Sequence, residues 1–521
     1  MIDEVDLVLY NGYIKTIDSN KTVVEAVAIK DGLIIAVGSN KEIKANFPKT
    51  KDKIDLKGKY VCPGFIDTHT HILSVATGLS NVLLHEVKSP QEAIEKIKER
   101  VDSSPKGKWI LGSRWDESNW SEKRFITLHE LDEIAPENPC YITRVCGHVS
   151  IANTLALKEL EIALDDPDLA IDPNTGRPKG ILDAKIRAKI TQWEKLAKTQ
   201  EEIDNSVVTA CKIAHEQGLT SITDNLPIPN VKAYIKAWKN GELNLRVYMN
   251  IPRDTFEHYL ESGIKTGFGD NILRLGGVKI FTDGSLGART AALKEPYFDD
   301  KSVDGMHYIE NDVFIQTIET AVQNGWQTAT HAIGDRAIEM VISAFERLKD
   351  NKLVSSGRHR IEHAEYLTED LLNRANKLGI ILSMQPNFPG RWGRPGQLYE
   401  IRLGPDRYKL LNNFKSIIAS KAKLCFGSDG MPMSPLFGIW SVVTHPIDDI
   451  KISLEDALYY YTLGAAFASF EENIKGSIEA GKVADLVVLE RNLDKINPEE
   501  IKDVEISMTI FNGKVVYTRD N

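Results

Sequence analysis

The sequence predicts an α/β chain built on a (β/α)8 TIM-like barrel, with an inserted lid subdomain and a small β-sandwich domain assembled from both termini. Three observations predict it. Short apolar strands recur through the middle of the chain, and from the second onwards each is followed by a segment of helical periodicity. Strand–turn–strand text with Asn-Gly or Asp-Gly turns stands at both ends. A gap of about 150 residues separates the first middle strand from the second, far longer than an ordinary connection. Strands alternating with helices require a parallel sheet, and eight such units close a barrel. At 521 residues the chain exceeds one ordinary core, so a large domain with a smaller one is expected.

In chain order, Val5–Leu9, Tyr13–Thr16, Ala26–Lys30 and Leu33–Val37 read as strands. Asn11-Gly12 and Asp31-Gly32 between them are hairpin signals. The same grammar returns in Ala484–Leu489 and Thr509–Tyr517, the latter with Asn512-Gly513 inside it. Residues 1–60 and 475–521 are therefore assigned to one small β-domain, and residues 61–474 to the barrel. The barrel strands are Val61–His71, Thr220–Asn225, Leu245–Ile251, Leu275–Asp283, Gln327–His331, Arg360–Glu365, Ile380–Gln385 and Lys423–Asp429. Helices are expected over Glu310–Asn324, Asp335–Lys349, Thr368–Leu378 and Leu454–Phe470. In the last of these Leu454, Ala457, Leu458, Tyr461, Ala465 and Ala468 form an apolar stripe. The insertion, about residues 76–200, has its own strand and helix signals at Trp109–Ser113, Cys140–Val145, Ser150–Leu160 and Asp183–Ala197. It is expected to fold over the barrel mouth.

Composition narrows the function classes. The chain is 42% hydrophobic and 26% charged, with no apolar run long enough for a membrane span. A formal charge of −10 and the lack of a basic stripe argue against a nucleic-acid partner. The first residues are acidic and no signal-peptide apolar region follows them. Five cysteines (Cys62, Cys140, Cys146, Cys211 and Cys425) include no C-x-x-C pair, so neither a disulfide framework nor a cysteine zinc site is expected. A reducing cytoplasm is the simplest setting.

The chemistry lies in Pro63-Gly64-Phe65-Ile66-Asp67-Thr68-His69-Thr70-His71. Residues i and i+2 of a strand point the same way, so His69 and His71 can hold one metal ion. A barrel's active site gathers at the C-terminal ends of its strands. Reading off those ends adds Lys279, His331, His363 and Asp429. Four imidazoles and a carboxylate are the ligands of catalytic zinc, manganese or iron. Each residue alone has a plain structural reading: His331 as a satisfied core histidine, His363 in a surface charge cluster, Asp429 in a turn. Lys279 inside an apolar strand is costly unless paired or neutralised. Together, at one end of one barrel, they point to metal.

Further motifs accompany these: G-S-R-W-D-E-S-N-W at 112–120, G-G-V-K-I-F-T-D-G-S-L-G-A-R-T-A-A-L at 276–293, H-A-I-G-D-R-A at 331–337 and R-I-E-H-A-E at 360–365. M-Q-P at 384–386, F-G-S-D at 426–429 and G-S-I-E-A-G-K-V-A-D-L-V-V-L at 476–489 follow. Over essentially its whole length the chain resembles the amidohydrolase superfamily, in the amidohydrolase-3 branch that includes N-substituted formamide deformylase-like proteins. The resemblance implies that His69 and His71 bind one divalent metal, zinc in the first place, and that His331 and His363 bind a second. Asp429 would touch metal and the bridging hydroxide. Lys279 falls where some relatives carry a carboxylated lysine bridging two ions. An ammonium group has only donors, so that role requires a carbamate; unmodified, Lys279 leaves a single-metal site.

A metal ion lowers the pKa of its bound water towards about 7. Asp429 would take the proton of the attacking water and pass it to the departing nitrogen. The expected substrate is a small molecule with a non-peptide carbon–nitrogen bond, an amide or N-formyl compound. A deaminase or a lactone or ester hydrolase is the alternative on the same scaffold, and a non-catalytic binding protein is a third reading. Trp115, Trp120 and His148, flanked by Arg144 and Asn153, are candidates to shape the pocket, and Arg289 to contact a substrate oxygen. The tryptophans could equally be lid core. Asp335 and Glu365 could orient ligands, or Asp335 simply cap a helix. The sequence departs from many relatives in carrying His445 in place of an arginine and Asp183 in place of a glutamate. Dimers are common among such enzymes.

Overall fold

A computed structural model describes residues 4–79, 81–84, 87–117, 120–144, 149–173, 176–191, 196 and 198–519. The chain divides into two compact units, Met1–Leu73 with Val207–Asn521, and Ser74–Ser206. The first contains an eight-stranded parallel sheet whose spatial order follows the chain: β1 (Phe65–Thr70), β2 (Leu219–Asn225), β3 (Arg246–Pro252), β4 (Leu273–Phe281), β5 (Thr328–Ala332), β6 (Arg360–His363), β7 (Ile381–Met384) and β8 (Lys423–Phe426). These are the eight expected strands with their ends shifted by a few residues. Most of their residues are buried, as strands covered on both faces must be. Helices follow where the periodicity places them, at Asn311–Gln323, Asp335–Glu346 and Glu369–Leu378. The last has Thr368 as its N-cap and stops at Gly379, which is left-handed at φ +71°.

Three expectations are corrected, each by a contact distant in sequence. Val61–His71 is not one strand. Tyr60–Pro63 pairs antiparallel with Leu486–Leu489 in another sheet, and the chain crosses to β1 at Gly64. The Gly64 N–H donates to the Asp485 carbonyl (2.9 Å), and a Cβ there would lie 2.3 Å from Thr220 Oγ1. Leu454–Phe470 is likewise two helices, Leu454–Tyr460 and Leu463–Ala468. At the break the Tyr461 carbonyl accepts from the Ile66 N–H of β1 (2.8 Å), and the Tyr461 ring packs on Phe65 and Phe426. Asn11-Gly12 is not a hairpin turn either. It carries the chain from Val5–Tyr10 in a four-stranded sheet to Tyr13–Lys15 in a six-stranded one. The Asn11 N–H is taken by Asn40 Oδ1 (2.9 Å). Asp31-Gly32 and Asn512-Gly513 are the true hairpins, with φ of +51° and +77° and of +50° and +75° as type I′ requires.

The six-stranded sheet draws strands from both ends of the chain, the four-stranded sheet from the N-terminal part alone, and the two share a core that includes Leu9, Val27, Val61, Leu486, Val488 and Ile510. Ser74–Ser206 has a five-stranded sheet and its own core around Ile97, Trp115, Trp120 and Ile142. Among the described residues no helix is long and apolar enough to cross a membrane.

One buried ion pair joins the barrel to the terminal sheets within the first unit. Arg246, first residue of β3, donates from Nε and Nη2 to Asp485 (2.6 and 3.0 Å), whose Oδ1 also accepts from the Asn512 N–H (2.8 Å). Removing one partner of such a pair leaves an uncompensated buried charge. Asp485→Ala is expected to lose about 3–5 kcal/mol in urea unfolding. A loss below about 1 kcal/mol, the range of a surface pair, would show that this contact does not hold the two parts together.

Candidate metal centre

The residues at the strand ends converge. His69, on β1, is buried, and its Nδ1 lies 2.5 Å from Glu362 Oε2. Its Nε2 lies 3.4 Å from Lys279 Nζ and 3.7 Å from Asp429 Oδ1. His71 directs Nδ1 to the Asn225 carbonyl (3.2 Å) and Nε2 to Asp429 Oδ1 (3.4 Å). His363 ends β6 at φ +75°, followed by Ala364 at +45°. Two successive left-handed residues without glycine are strained, and backbone strain of this kind clusters at functional sites. The turn is held by the Ala364 N–H on the Ala332 carbonyl (3.0 Å). It sets the His363 ring 4.7 Å from that of His69 and 4.5 Å from that of His331. Its Nδ1 is bound to Gln385 Oε1 (2.6 Å), and Phe388 stacks parallel to it. His331 spends Nε2 on the Gly284 carbonyl (3.0 Å), which leaves Nδ1 free. Asp429 donates its backbone N–H to the His69 carbonyl (2.7 Å). One ligand atom each of His69, His363 and Asp429 lies within 4.8 Å of the others.

Electrostatics suit this set to a cation. Burial, and then the Lys279 charge, pull His69 well below the usual imidazole value and His331 to about 4. Burial, with His331 and His69 as neighbours, does the same to His363. All three are neutral at pH 7, with lone pairs available. Burial pushes the Asp429 carboxyl up, but the hydrogen bond from His71 and the neighbouring His69, His71 and Lys279 outweigh it, so it lies below the ordinary aspartate value. Burial brings Lys279 down to about 8 against the pull of Glu362 and Asp429. Each imidazole is also tied through its other nitrogen, the arrangement that fixes a metal ligand's orientation. These residues fit a divalent ion.

The orienting partners Glu362, Gln385, Asn225 and Gly284 escaped the sequence reading. One signal was present: Arg360 and Glu362 alternate in a strand too buried for a surface charge cluster. The remaining described residues that the sequence pointed to have partners of their own. Arg289 is ion-paired with Asp299 (2.8 Å), which also takes Arg402. Trp115 belongs to the second unit, buried and stacked on Trp120 at 5.8 Å, with Arg144 bound to Asp116 and Glu117 nearby in sequence. Asn153 caps a helix and accepts from the Cys140 N–H. His148 lies outside the described residues. Asp335 accepts from the Lys294 N–H (2.9 Å), and Glu365 is buried against Asn412. His445 is buried, with Nε2 3.3 Å from the Pro389 carbonyl, and Asp183 caps the helix Ala184–Ala188.

Comparison with known proteins places this geometry in context. The model of the amidohydrolase family matches residues 52–517. A Bacillus subtilis protein named as the amidohydrolase YtcJ is 30% identical over 98% of this chain and 99% of its own length. The N-substituted formamide deformylase of Arthrobacter pascens is 26% identical over 99% and 98%. The crystal structure of an uncharacterized metal-dependent hydrolase from Pyrococcus furiosus superposes with a TM-score of 0.79 at 28% identity, covering 95% of this chain and 99% of that one.

The uneven basicity of the ligand set has a measurable consequence. Protons compete with a metal only below a ligand's own pKa. Exposed imidazoles of pKa about 6.5 would cost tenfold or more in affinity between pH 7.5 and 6. His331 at about 4 and the lowered His69 and His363 add little competition over that window. His71, although buried, is held above its ordinary value by the hydrogen bond and charge of Asp429, and Lys279 stands at about 8. Zinc affinity is therefore expected to fall about tenfold or more from pH 7.5 to 6. Chelator competition at the two pH values measures it, and a change below about threefold would show that neither His71 nor Lys279 has to lose a proton when the metal binds.

Proposed function

The chain belongs to the amidohydrolase family, and we propose that this hydrolase of non-peptide carbon–nitrogen bonds acts on a small amide or N-formyl compound. The observation that carries the reading is the convergence of neutral imidazoles, an ionised carboxylate and a weakly basic amine on one point at the strand ends. The formamide deformylase relative, aligned nearly end to end, supports the substrate class.

His69, His71, His331, His363 and Asp429 would hold the metal, with Lys279 as a further ligand if carboxylated. A bound divalent ion supplies a water of lowered pKa and polarises a carbonyl oxygen. Asp429 is the proton carrier: its carboxylate accepts from the attacking water and delivers to the departing nitrogen. His71 Nε2 lies 3.4 Å from Asp429 Oδ1, so the nitrogen that would bind the ion stands beside the proton carrier. The Phe281 ring, 47% exposed and packed against His331 and Lys279, offers an apolar wall to the substrate.

Metal analysis of the wild-type protein beside Lys279→Ala tests the ligand set. About two ions per chain, falling in the variant, support a bridging carbamate; about one ion, unchanged, would remove Lys279 from it and favour a deaminase. Asp429→Asn is expected to lower kcat by about 10²-fold or more on formamide and amide substrates. A loss of less than tenfold would exclude Asp429 as proton carrier.

A further inference from the structure

Barrel interiors are ordinarily filled by branched aliphatic side chains. Here the layer beside His69 contains Arg360, Glu362, Ser383 and Thr68, all buried, Arg360 and Glu362 completely. Arg360 and Glu362 stand at i and i+2 of β6 and so face the same way. Arg360 Nε and Nη2 donate to the two oxygens of Glu362 (2.7 and 3.0 Å). Nη2 also donates to the Thr68 carbonyl (2.5 Å) and to Ser383 Oγ (2.9 Å). A buried ion pair is seldom more stabilising than apolar residues of the same volume. This one also leaves Arg360 Nη1 without a partner. Stability is therefore a poor reason for its presence.

We infer that Glu362, held by Arg360, is a positioning residue that fixes the tautomer of His69. An ionised carboxylate only accepts, so the 2.5 Å contact with His69 places the proton on Nδ1. The lone pair of the neutral ring then lies on Nε2, the nitrogen that faces Lys279 and Asp429. Arg360 occupies both Glu362 oxygens from the other side and prevents the carboxylate from turning away. The inference rests on the metal-centre reading and extends it to two residues outside the ligand set.

The test uses the chemistry of an amide. In Glu362→Gln one end of the side chain accepts and the other donates. With its oxygen towards Arg360, the NH2 group faces His69 Nδ1 and drives the proton to Nε2, which then cannot bind a metal. With its oxygen towards His69, the NH2 group meets the guanidinium donor to donor. Adding Arg360→Met removes that conflict and lets the oxygen face Nδ1 again. Zinc affinity, measured by chelator competition on the metal-free full-length protein, is expected to fall about 10- to 100-fold in Glu362→Gln. Most of that loss should return in Arg360→Met/Glu362→Gln. Circular dichroism of the metal-free forms checks that each is folded. Wild-type affinity in the single variant, or no recovery in the double, would overturn the assignment. Absence of zinc binding by the wild-type protein would instead overturn the metal-centre reading. A measurement without these variants guards against misfolding: in metal-free protein labelled with ¹⁵N-histidine, the His69 signal, identified by its loss in His69→Asn, should show Nδ1 protonated. Protonation at Nε2 would overturn the inference.

Discussion

The site depends on the seam between β1 and β8, the two end strands of the barrel order, and on the carboxylate that bridges it. Asp67 Oδ1 accepts from the backbone N–H of Ser428 (2.9 Å) and of His69 (3.1 Å), while Oδ2 accepts from the Ser428 hydroxyl. The Asp429 N–H on the His69 carbonyl closes the same seam one residue further along. The approach is close enough that a Cβ on Gly427 would lie 2.5 Å from the His69 nitrogen. Burial pushes the Asp67 carboxyl up to about 7, so its local hydrogen bonds only partly offset its desolvation. What that unfavourable burial secures is register. His69 and Asp429, far apart in the chain, are set against each other by the buried Asp67 carboxylate and the backbone bond between them.

A second level of control acts on the rings. Each histidine commits one nitrogen to an acceptor, and the acceptors differ: a carboxylate for His69, an amide for His363, backbone carbonyls for His71 and His331. In the first three the bound nitrogen is Nδ1; in His331 it is Nε2. The set therefore presents three Nε2 atoms and one Nδ1. Fixing rings in this way limits reorganisation when a ligand arrives, which is how precise sites are built on rigid elements.

The strands were legible because apolar runs between turn residues are local, and the cluster because a barrel's geometry converts "end of a strand" into "one place in space". His69, His71, Lys279, His331, His363 and Asp429 all follow from that rule. What was not legible depends on partners far away in the chain. Nothing near Asn11 reveals that Asn40 will take its N–H, or near Tyr461 that Ile66 will claim its carbonyl. Gly64 reads as part of a strand until Thr220 is seen to occupy the space of its missing side chain. Glu362 was hidden differently. A charged residue beside a ligand reads as surface text, and only burial turns it into a partner for His69.

Charge balance gives the last constraint on the centre. Arg360 and Glu362 pair off, and Lys279 and Asp429 carry opposite charges, so the buried groups are close to neutral together. A dication placed among them would meet the Lys279 ammonium beside His69 Nε2, and two such charges repel strongly at short range in a weakly polar interior. Burial has already brought Lys279 to about 8, within reach of losing its proton near neutral pH. The neutral amine removes the repulsion and is the form that can add carbon dioxide. Conversion to a carbamate would go further, replacing a positive charge with a negative one where a cation needs it. The electrostatics of the protein alone thus oppose a charged lysine beside a bound ion, and whichever neutral or anionic form Lys279 takes sets how much positive charge the centre can hold.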